Sequence, residues 1–107
     1  MALSRRRKRK APSPEPRVPL AMRLSDDFIA DSDYWAEHNT GVHRKLLELM
    51  NATVAEPFRG IGKPEPMKHE YRGCWSRRLT KADRMVYRVY PTYIDFLSAR
   101  YHYPRRW

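Results

Sequence analysis

The apolar residues between positions 42 and 53 recur at helical spacing. They fall on one face of a helix in the order Val42, Leu46, Leu49, Met50 and Thr53. The charged residues of the same stretch lie off that face. Pro57 has no backbone N–H and biases the residue before it away from helical geometry. The pattern therefore predicts an amphipathic helix that begins near Val42 and ends before Pro57.

An earlier helix is predicted by the residues that would begin it. Ser25 can accept hydrogen bonds from the free N–H groups of a first turn, and Asp26 and Asp27 complement the positive end of a helix dipole. Apolar residues continue from Phe28, and the helix is expected to end within residues 38–41. Upstream, the run PLAMRL over residues 19–24 predicts a short edge strand, since proline is tolerated at the first residue of a strand.

The C-terminal half predicts strands after a loop. Residues 57–69 contain three prolines and two glycines, which excludes a helix interior or a central strand. Strands are predicted over residues 71–79, 84–90 and 93–103. Pro91 and Thr92 separate the last two, and a two-residue connection favours a hairpin.

Alternation along these strands assigns their faces, because successive side chains point to opposite sides of a sheet. Trp75, Arg77 and Leu79 share one face, and Ser76 and Arg78 share the other. In the second strand the residues predicted to be buried are Met85, Tyr87 and Val89, which leaves Arg84, Val86 and Arg88 opposite. The third strand is apolar on both sides, so its buried face stays open. The predicted fold class is α+β, with two N-terminal helices packed on one face of a mainly antiparallel sheet of four to five strands.

The positive charge is concentrated at the N-terminus. Residues 1–21 contain seven Lys and Arg against one acid, Glu15, for a net +6, and the remaining 86 residues carry +4. Four prolines exclude a regular helix there. We expect residues 1–21 to be a disordered basic tail and residues 22–107 to be one domain. Met22 is an alternative natural start.

The overall charge of +10 favours a polyanionic partner, without choosing among nucleic acid, acidic protein and anionic lipid. A lone cysteine, Cys74, excludes an internal disulfide and fits a reducing compartment, so a cytoplasmic location is expected. The sequence contains no apolar run long enough to span a bilayer, and the basic start lacks the apolar segment of a signal peptide. No membrane association is expected.

The C-terminal half holds the groups needed to cut RNA without a metal: a base, a cation and an acid. Glu65 lies between two prolines that stiffen its backbone, and a histidine such as His102 can serve as an acid near neutral pH. Arg77, Arg78 and Arg84 are the candidate cations for holding phosphate. Each group has an ordinary alternative, namely a surface glutamate, arginines on a solvated sheet face and a structural histidine. The four histidines show no metal-ligand spacing, so no cofactor is expected.

Taken together, these segments resemble the YoeB (Txe) toxins of the RelE/ParE superfamily. The resemblance is carried by GKPEPMKHEYRGCWSRRLTKADRMVYRVY and by the terminal ARYHY, and it covers residues 20–103. It implies an endoribonuclease that cleaves mRNA in the ribosomal A site, with Glu65 as base, Arg84 as phosphate stabiliser, His102 as acid and Tyr103 as a substrate-positioning group. The candidate RNA- or ribosome-binding residues are Lys63, Lys68, Trp75, Arg77 and Arg78.

The resemblance also implies partners. A YefM-type antitoxin with an acidic segment would cover the active-site face, operator DNA would be bound only by the toxin–antitoxin complex, and a homodimer is compatible with the family. The extension PRRW after Tyr103 departs from family members that end near this point. Two alternatives stay open: a member of the same fold that binds nucleic acid or protein without cutting RNA, and a ribosome-associated structural protein.

Overall fold

The sheet and its two helices are built from seven regular elements in a computed structural model that describes residues 19–101. In chain order these are β1 (Ala21–Leu24), α1 (Asp26–His38), α2 (Thr40–Ala55), β2 (Glu65–Pro66), β3 (Cys74–Arg78), β4 (Arg84–Val89) and β5 (Tyr93–Ser98). The strand order is β1-β5-β4-β3-β2, and only β1 runs parallel to its neighbour. The predicted α+β fold is confirmed.

Side-chain caps set where both helices begin. The hydroxyl of Ser25 accepts from the backbone N–H of Phe28 at 3.1 Å, as the sequence predicted. Asn39 caps α2 by accepting from the N–H of Val42 at 3.2 Å, so α2 begins two residues before the predicted start. It ends at Ala55, ahead of Pro57.

Two predicted strand boundaries are wrong, and one strand lies where a loop was predicted. The first C-terminal strand begins at Cys74 instead of residue 71, because a 3₁₀ turn over His69–Tyr71 precedes it and Gly73 has a φ of 98°. The third ends at Ser98, and Tyr101 has a left-handed φ of 74° that a strand does not adopt. Within the predicted 57–69 loop, Glu65–Pro66 forms a strand that pairs with β3.

The N-terminal strand belongs to the folded domain from its first residues. Leu20 packs against the core, and its N–H donates to the carbonyl of Val54 at 3.2 Å. The N–H of Ala21 donates to the carbonyl of Thr92 at 3.3 Å. These two residues were expected in the tail, so the expected boundary at residue 22 lies too late.

The two faces of the sheet bury different clusters. The helices cover a large apolar cluster that includes Phe28, Leu46, Leu49, Met85, Tyr87, Ile94 and Phe96. The third strand therefore turns Ile94 and Phe96 towards the helices. The opposite face carries a smaller buried cluster of Cys74, Val86 and Leu97, on which Met67 packs. The arginine-rich face therefore has its own small buried apolar cluster.

Candidate active-site groove

Glu65 is held in place by strand pairing. In β2, Glu65 lies opposite Ser76 and Pro66 opposite Trp75, and the N–H of Met67 continues the ladder to the carbonyl of Cys74 at 2.9 Å. Directly opposed residues project from the same face of a sheet. The Glu65 side chain, 48% exposed, therefore lies on the face away from the helices, beside Ser76.

Arg84 reaches the same point from the start of β4. Its Nη1 lies 3.7 Å from Oε1 of Glu65 and donates to the hydroxyl of Ser76 at 3.3 Å. The Arg84 side chain is 23% exposed, so it is partly desolvated but open to a ligand. Three strands thus bring a carboxylate and a guanidinium together.

The carboxylate and guanidinium line a groove of about 660 Å³. Lys68 lines it as well, as do His69 and Tyr71 of the 3₁₀ turn. His69 adopts a left-handed φ of 59°, which sets the direction of the turn. The sequence pattern did not indicate that this turn lies beside Glu65. The only sequence signal for it is that His69 lies a few residues after the glutamate.

Arg78 and Lys63 are two further exposed cations in this part of the chain. Arg78 lies opposite Arg84 in the β3–β4 pairing, so both lie on one face, and the Arg78 side chain is exposed. Lys63, with a left-handed φ of 56°, is exposed two residues before Glu65. The groove itself carries both signs of charge, because its lining contains Glu70 and Glu65 as well as Lys68 and Arg84.

Arg77 is not available to bind RNA, contrary to the sequence-based expectation. Its side chain is fully buried, and its guanidinium donates to the carbonyls of Glu56 at 2.6 Å, Ile61 at 2.8 Å and Arg59 at 2.9 Å. Its Nε also donates to the hydroxyl of Tyr87 at 3.3 Å. Arg77 therefore fixes the loop that leads from α2 to β2.

Tyr87 completes this buried network from β4. Its hydroxyl donates to the carbonyl of Pro57 at 2.6 Å while it accepts from Arg77. Burial raises the pKa of the Tyr87 phenol above its usual 10.0, and the neighbouring Arg77 opposes the rise. The phenol thus acts as a neutral donor that helps to hold the loop.

Trp75 is also kept away from the groove. It projects from the same face as Arg77, packs against the helix-side core and contacts the ring of Phe58 at a centroid distance of 4.9 Å. Glu65 and Arg84 lie on the opposite face of the sheet. The structure therefore does not bring Trp75 together with the carboxylate and guanidinium.

The last described residue contacts the first residue of β4. The backbone N–H of Arg84 donates to the carbonyl of Tyr101 at 3.2 Å. His102 and Tyr103, the predicted acid and positioning residues, lie outside the described residues. Tyr101, the neighbour of His102 in sequence, is attached to the strand that begins with Arg84.

Three further findings concern the described residues 19–101. In this range, no group of three or more His, Cys, Asp and Glu side chains is arranged to hold a metal ion. Neither helix of this part of the chain has the length and apolar character required to cross a membrane. On the groove side, burial raises the pKa of the Cys74 thiol, and nearby Arg88 opposes the rise.

The fold and groove define a class of small basic α+β proteins with a carboxylate–guanidinium pair on the open sheet face. Residues 24–103 match the model of the family described as the YoeB-like toxin of bacterial type II toxin–antitoxin systems. Toxin YoeB of Escherichia coli K12 is 42% identical over 78 residues, which are 73% of this chain and 88% of that protein. This chain belongs to the YoeB family and is a toxin of a type II toxin–antitoxin system.

Solved structures agree with this assignment. A YoeB/ParE toxin from Agrobacterium tumefaciens has a TM-score of 0.75 and 31% identity, covering 78% of this chain and 100% of that one. The YoeB dimer from Staphylococcus aureus has a TM-score of 0.74 and 31% identity, and YoeB in a YoeB–YefM complex from the same organism has 0.71 and 32%. Both cover 80% of this chain and 100% of theirs. The predicted family is confirmed.

Proposed function

We propose that this toxin is an endoribonuclease that cleaves mRNA by acid–base chemistry without a metal. The observation that carries the proposal is the carboxylate of Glu65, 3.7 Å from the guanidinium of Arg84 in a groove that Lys68 also lines. A carboxylate beside a fixed cation suits removal of a proton from a 2′-hydroxyl that approaches with its phosphate on the arginine.

The reaction assigns one step to each group. Glu65 takes the proton of the 2′-hydroxyl, whose oxygen attacks the adjacent phosphorus. Arg84 stabilises the charge that develops on the phosphate oxygens. His102 gives a proton to the departing 5′-oxygen, so the products are a 2′,3′-cyclic phosphate and a 5′-hydroxyl. Tyr103 orients the substrate.

The surrounding cations are assigned to binding. Lys68 lines the groove, Arg78 pairs with Arg84, and these two cations with the exposed Lys63 would contact phosphates of the mRNA or the ribosome. We place the reaction on mRNA in the ribosomal A site, in the cytoplasm, on the strength of the family membership. Arg77 and Trp75 have no part in it.

A protein partner would compete for the same groove. YoeB from Staphylococcus aureus forms a complex with YefM and also a dimer. We infer that this chain binds a YefM-type antitoxin whose acidic segment covers the groove, since a site complementary to phosphates also attracts carboxylates. A homodimer and operator binding by the toxin–antitoxin complex belong to the same proposal.

The chemical groups at the ends of the cleaved RNA fragments test the proposed reaction. We expect a 2′,3′-cyclic phosphate or its 3′-phosphate product on the 5′ fragment, and no cleavage at a nucleotide whose 2′-hydroxyl is replaced by hydrogen. Glu65→Gln and His102→Ala should each slow cleavage by roughly 10²- to 10⁴-fold. Arg84→Ala should reduce the rate through lost charge stabilisation.

Mass spectrometry of the fragments identifies these end groups. Each variant is compared with the unchanged protein on a short mRNA held on ribosomes, and RNA binding is measured beside cleavage. A variant that binds RNA as the unchanged protein does but no longer cuts it would show that the protein is a catalyst and does not only bind RNA. A 3′-hydroxyl on the 5′ fragment would contradict the mechanism, and so would loss of cleavage when EDTA is added to the purified protein with a short free RNA.

A further inference from the structure

One arginine and two tyrosine rings lie together where the β4–β5 hairpin turns. The backbone N–H of Tyr90 donates to the carbonyl of Tyr93 at 2.9 Å, and the two rings stack at a centroid distance of 4.8 Å and an interplanar angle of 14°. The guanidinium of Arg88 lies 5.7 Å from the centroid of the Tyr90 ring. Arg88 is exposed and both tyrosines are partly exposed, so these three residues, here called the hairpin cluster, are accessible to a ligand.

The hairpin cluster lies on the same face of the sheet as Glu65 and Arg84. Its neighbours Val89 and Ile94 pack against the helix-side core, so strand alternation places the hairpin cluster on the opposite face. Arg84 and Arg88 both belong to β4, four residues apart. At roughly 3.3 Å per residue, the two positions are about 13 Å apart along the strand.

A continuous surface connects the groove to the hairpin cluster. Tyr71 lines the groove, and the exposed Arg72 and Gly73 follow it in sequence. The guanidinium of Arg88 lies over Gly73, because a Cβ there would be 3.1 Å from Nη2 and 3.2 Å from Cζ of Arg88. The Arg88 side chain therefore reaches from β4 to the segment that leaves the groove. A ligand that extends from the groove along this face would meet the hairpin cluster next.

The charges beside the hairpin cluster favour an anionic ligand. Asp95 lies opposite Arg88 in the β4–β5 pairing, and Arg23 of β1 lies opposite Asp95. With Arg72, these side chains are three arginines and one aspartate, a net charge of +2. Arginine binds phosphate, and tyrosine rings are surfaces on which unpaired bases stack. A single RNA strand carries both groups, whereas an acidic peptide offers only the charge.

We propose that the hairpin cluster is a second contact for the RNA strand that is cut in the groove. Arg88 holds a phosphate, and the tyrosine rings stack on a base of the same strand. A strand with stacked bases advances about 3.4 Å per nucleotide, so the distance of about 13 Å from Arg84 to Arg88 corresponds to about four nucleotides. The inference rests on the proposed function for the identity of the strand, the mRNA whose scissile phosphate Arg84 holds.

The test measures binding of the full chain to two RNAs in which fluorine replaces every 2′-hydroxyl, so that cleavage does not interfere. One is a dinucleotide, which fills only the groove, and the other is a longer single strand that also reaches the hairpin cluster. Tyr90→Leu keeps an apolar side chain without the ring. It should weaken binding of the longer RNA by roughly 5- to 150-fold, the usual effect of losing one base stack, and leave dinucleotide binding unchanged.

Three further variants make the result specific. Tyr90→Phe keeps the ring and should bind the longer RNA within about 2-fold of the unchanged protein. Arg88→Gln should lower the slope of log K against log salt concentration by about 0.7, the effect of one phosphate contact on a single strand. Arg44→Gln removes the same charge from the exposed surface of α2 and should leave that slope unchanged.

Each arm can overturn the inference. It fails if Tyr90→Leu binds the longer RNA normally, or if both RNAs are weakened equally, because the contact would then not lie outside the groove. It also fails if Arg88→Gln and Arg44→Gln give equal slopes, and this comparison decides alone should Tyr90→Leu not fold. Weaker binding of poly-glutamate with unchanged RNA binding would assign the hairpin cluster to an acidic protein partner instead.

Cleavage is measured separately, on RNA that keeps its 2′-hydroxyls. If the unchanged protein does not cut this RNA but the variants show the expected losses of binding, the proposed function fails and the RNA contact stands. If the protein cuts RNA but the variants bind the longer strand normally, the proposed function stands and the hairpin cluster has no part in RNA binding.

Discussion

Arg77 and Arg78 are neighbours in β3, yet their side chains lie in opposite environments. Arg77 donates to three backbone carbonyls inside the protein, whereas Arg78 is exposed beside the groove. Alternation already placed Arg77 on the face of Trp75 and Leu79, but residue type favoured phosphate binding. The periodicity was the better guide, because backbone carbonyls of a loop can satisfy a guanidinium as fully as phosphates do.

We predict that Arg77→Ala destabilises the fold by about 3–5 kcal/mol, since it leaves three carbonyls and the Tyr87 hydroxyl without their donor. Urea denaturation measures the free energy of unfolding. Arg78→Ala, one residue away and exposed, is the matched control and should change stability by less than about 0.5 kcal/mol. Similar losses in both variants would contradict the buried role of Arg77.

The ionisation of Tyr87 predicts that the free energy of unfolding decreases at high pH. Its pKa in the folded protein is raised above 10.0, mainly by burial, so the folded state disfavours the ionised phenol. The stability it contributes is fully present below pH 10 and is lost as the pH rises through the raised pKa. Urea denaturation from pH 8 to pH 11 should show this decline. Tyr87→Phe cannot ionise there and should decline less steeply, and equal slopes would refute the prediction.

At the scale of elements, local signals predicted more than long-range ones. The Ser25 cap, the apolar stripe of α2 and Pro57 all act within a few residues, and they set helix boundaries correctly or within two residues. Strand β2 could not be foreseen, because Glu65 and Pro66 lie in a proline-rich stretch that resembles a loop until β3 pairs with it. The position of Glu65 beside Arg84 depends on that pairing, so the sequence indicated the residue types but not their contact.

Replacing either of two glycines by alanine should change stability very differently, because Gly62 lies in the tight loop before β2 and Gly41 lies in α2. A Cβ on Gly62, whose φ is 82°, would lie 2.8 Å from Leu49 Cδ2 and 3.0 Å from Arg77 Cβ. Gly62→Ala should therefore destabilise the protein by about 2–4 kcal/mol, through steric overlap and backbone strain. Gly41→Ala meets only Asn39 Oδ1 at 3.4 Å and should be neutral or stabilise α2 by up to about 1 kcal/mol. Thermal melting of both variants measures this, and a mild Gly62→Ala would show that the loop relaxes.

At the scale of the whole molecule, charge and fold are separable. Residues 1–18 hold seven of the 22 Lys and Arg and one acid, so the rest of the chain has a net charge of +4. The contacts of the folded domain begin at Leu20, which packs on the core and bonds to Val54. A cut between these regions should remove most of the charge and little of the stability.

We therefore predict that a protein lacking residues 1–18 melts at the same temperature as the full chain and still cuts RNA. Its affinity for single-stranded RNA should depend less on salt, because each tail cation that neutralises a phosphate contributes about 0.7 to the slope of log K against log salt concentration. Binding titrations at several salt concentrations measure that slope.

Removal of residues 1–24 is the informative comparison, because it deletes β1, which pairs with β5 from Ala21 to Leu24. This longer truncation should clearly lower the melting temperature. If both truncations melt alike, β1 contributes little to the fold; if the shorter truncation leaves the slope unchanged, the basic segment does not contact RNA.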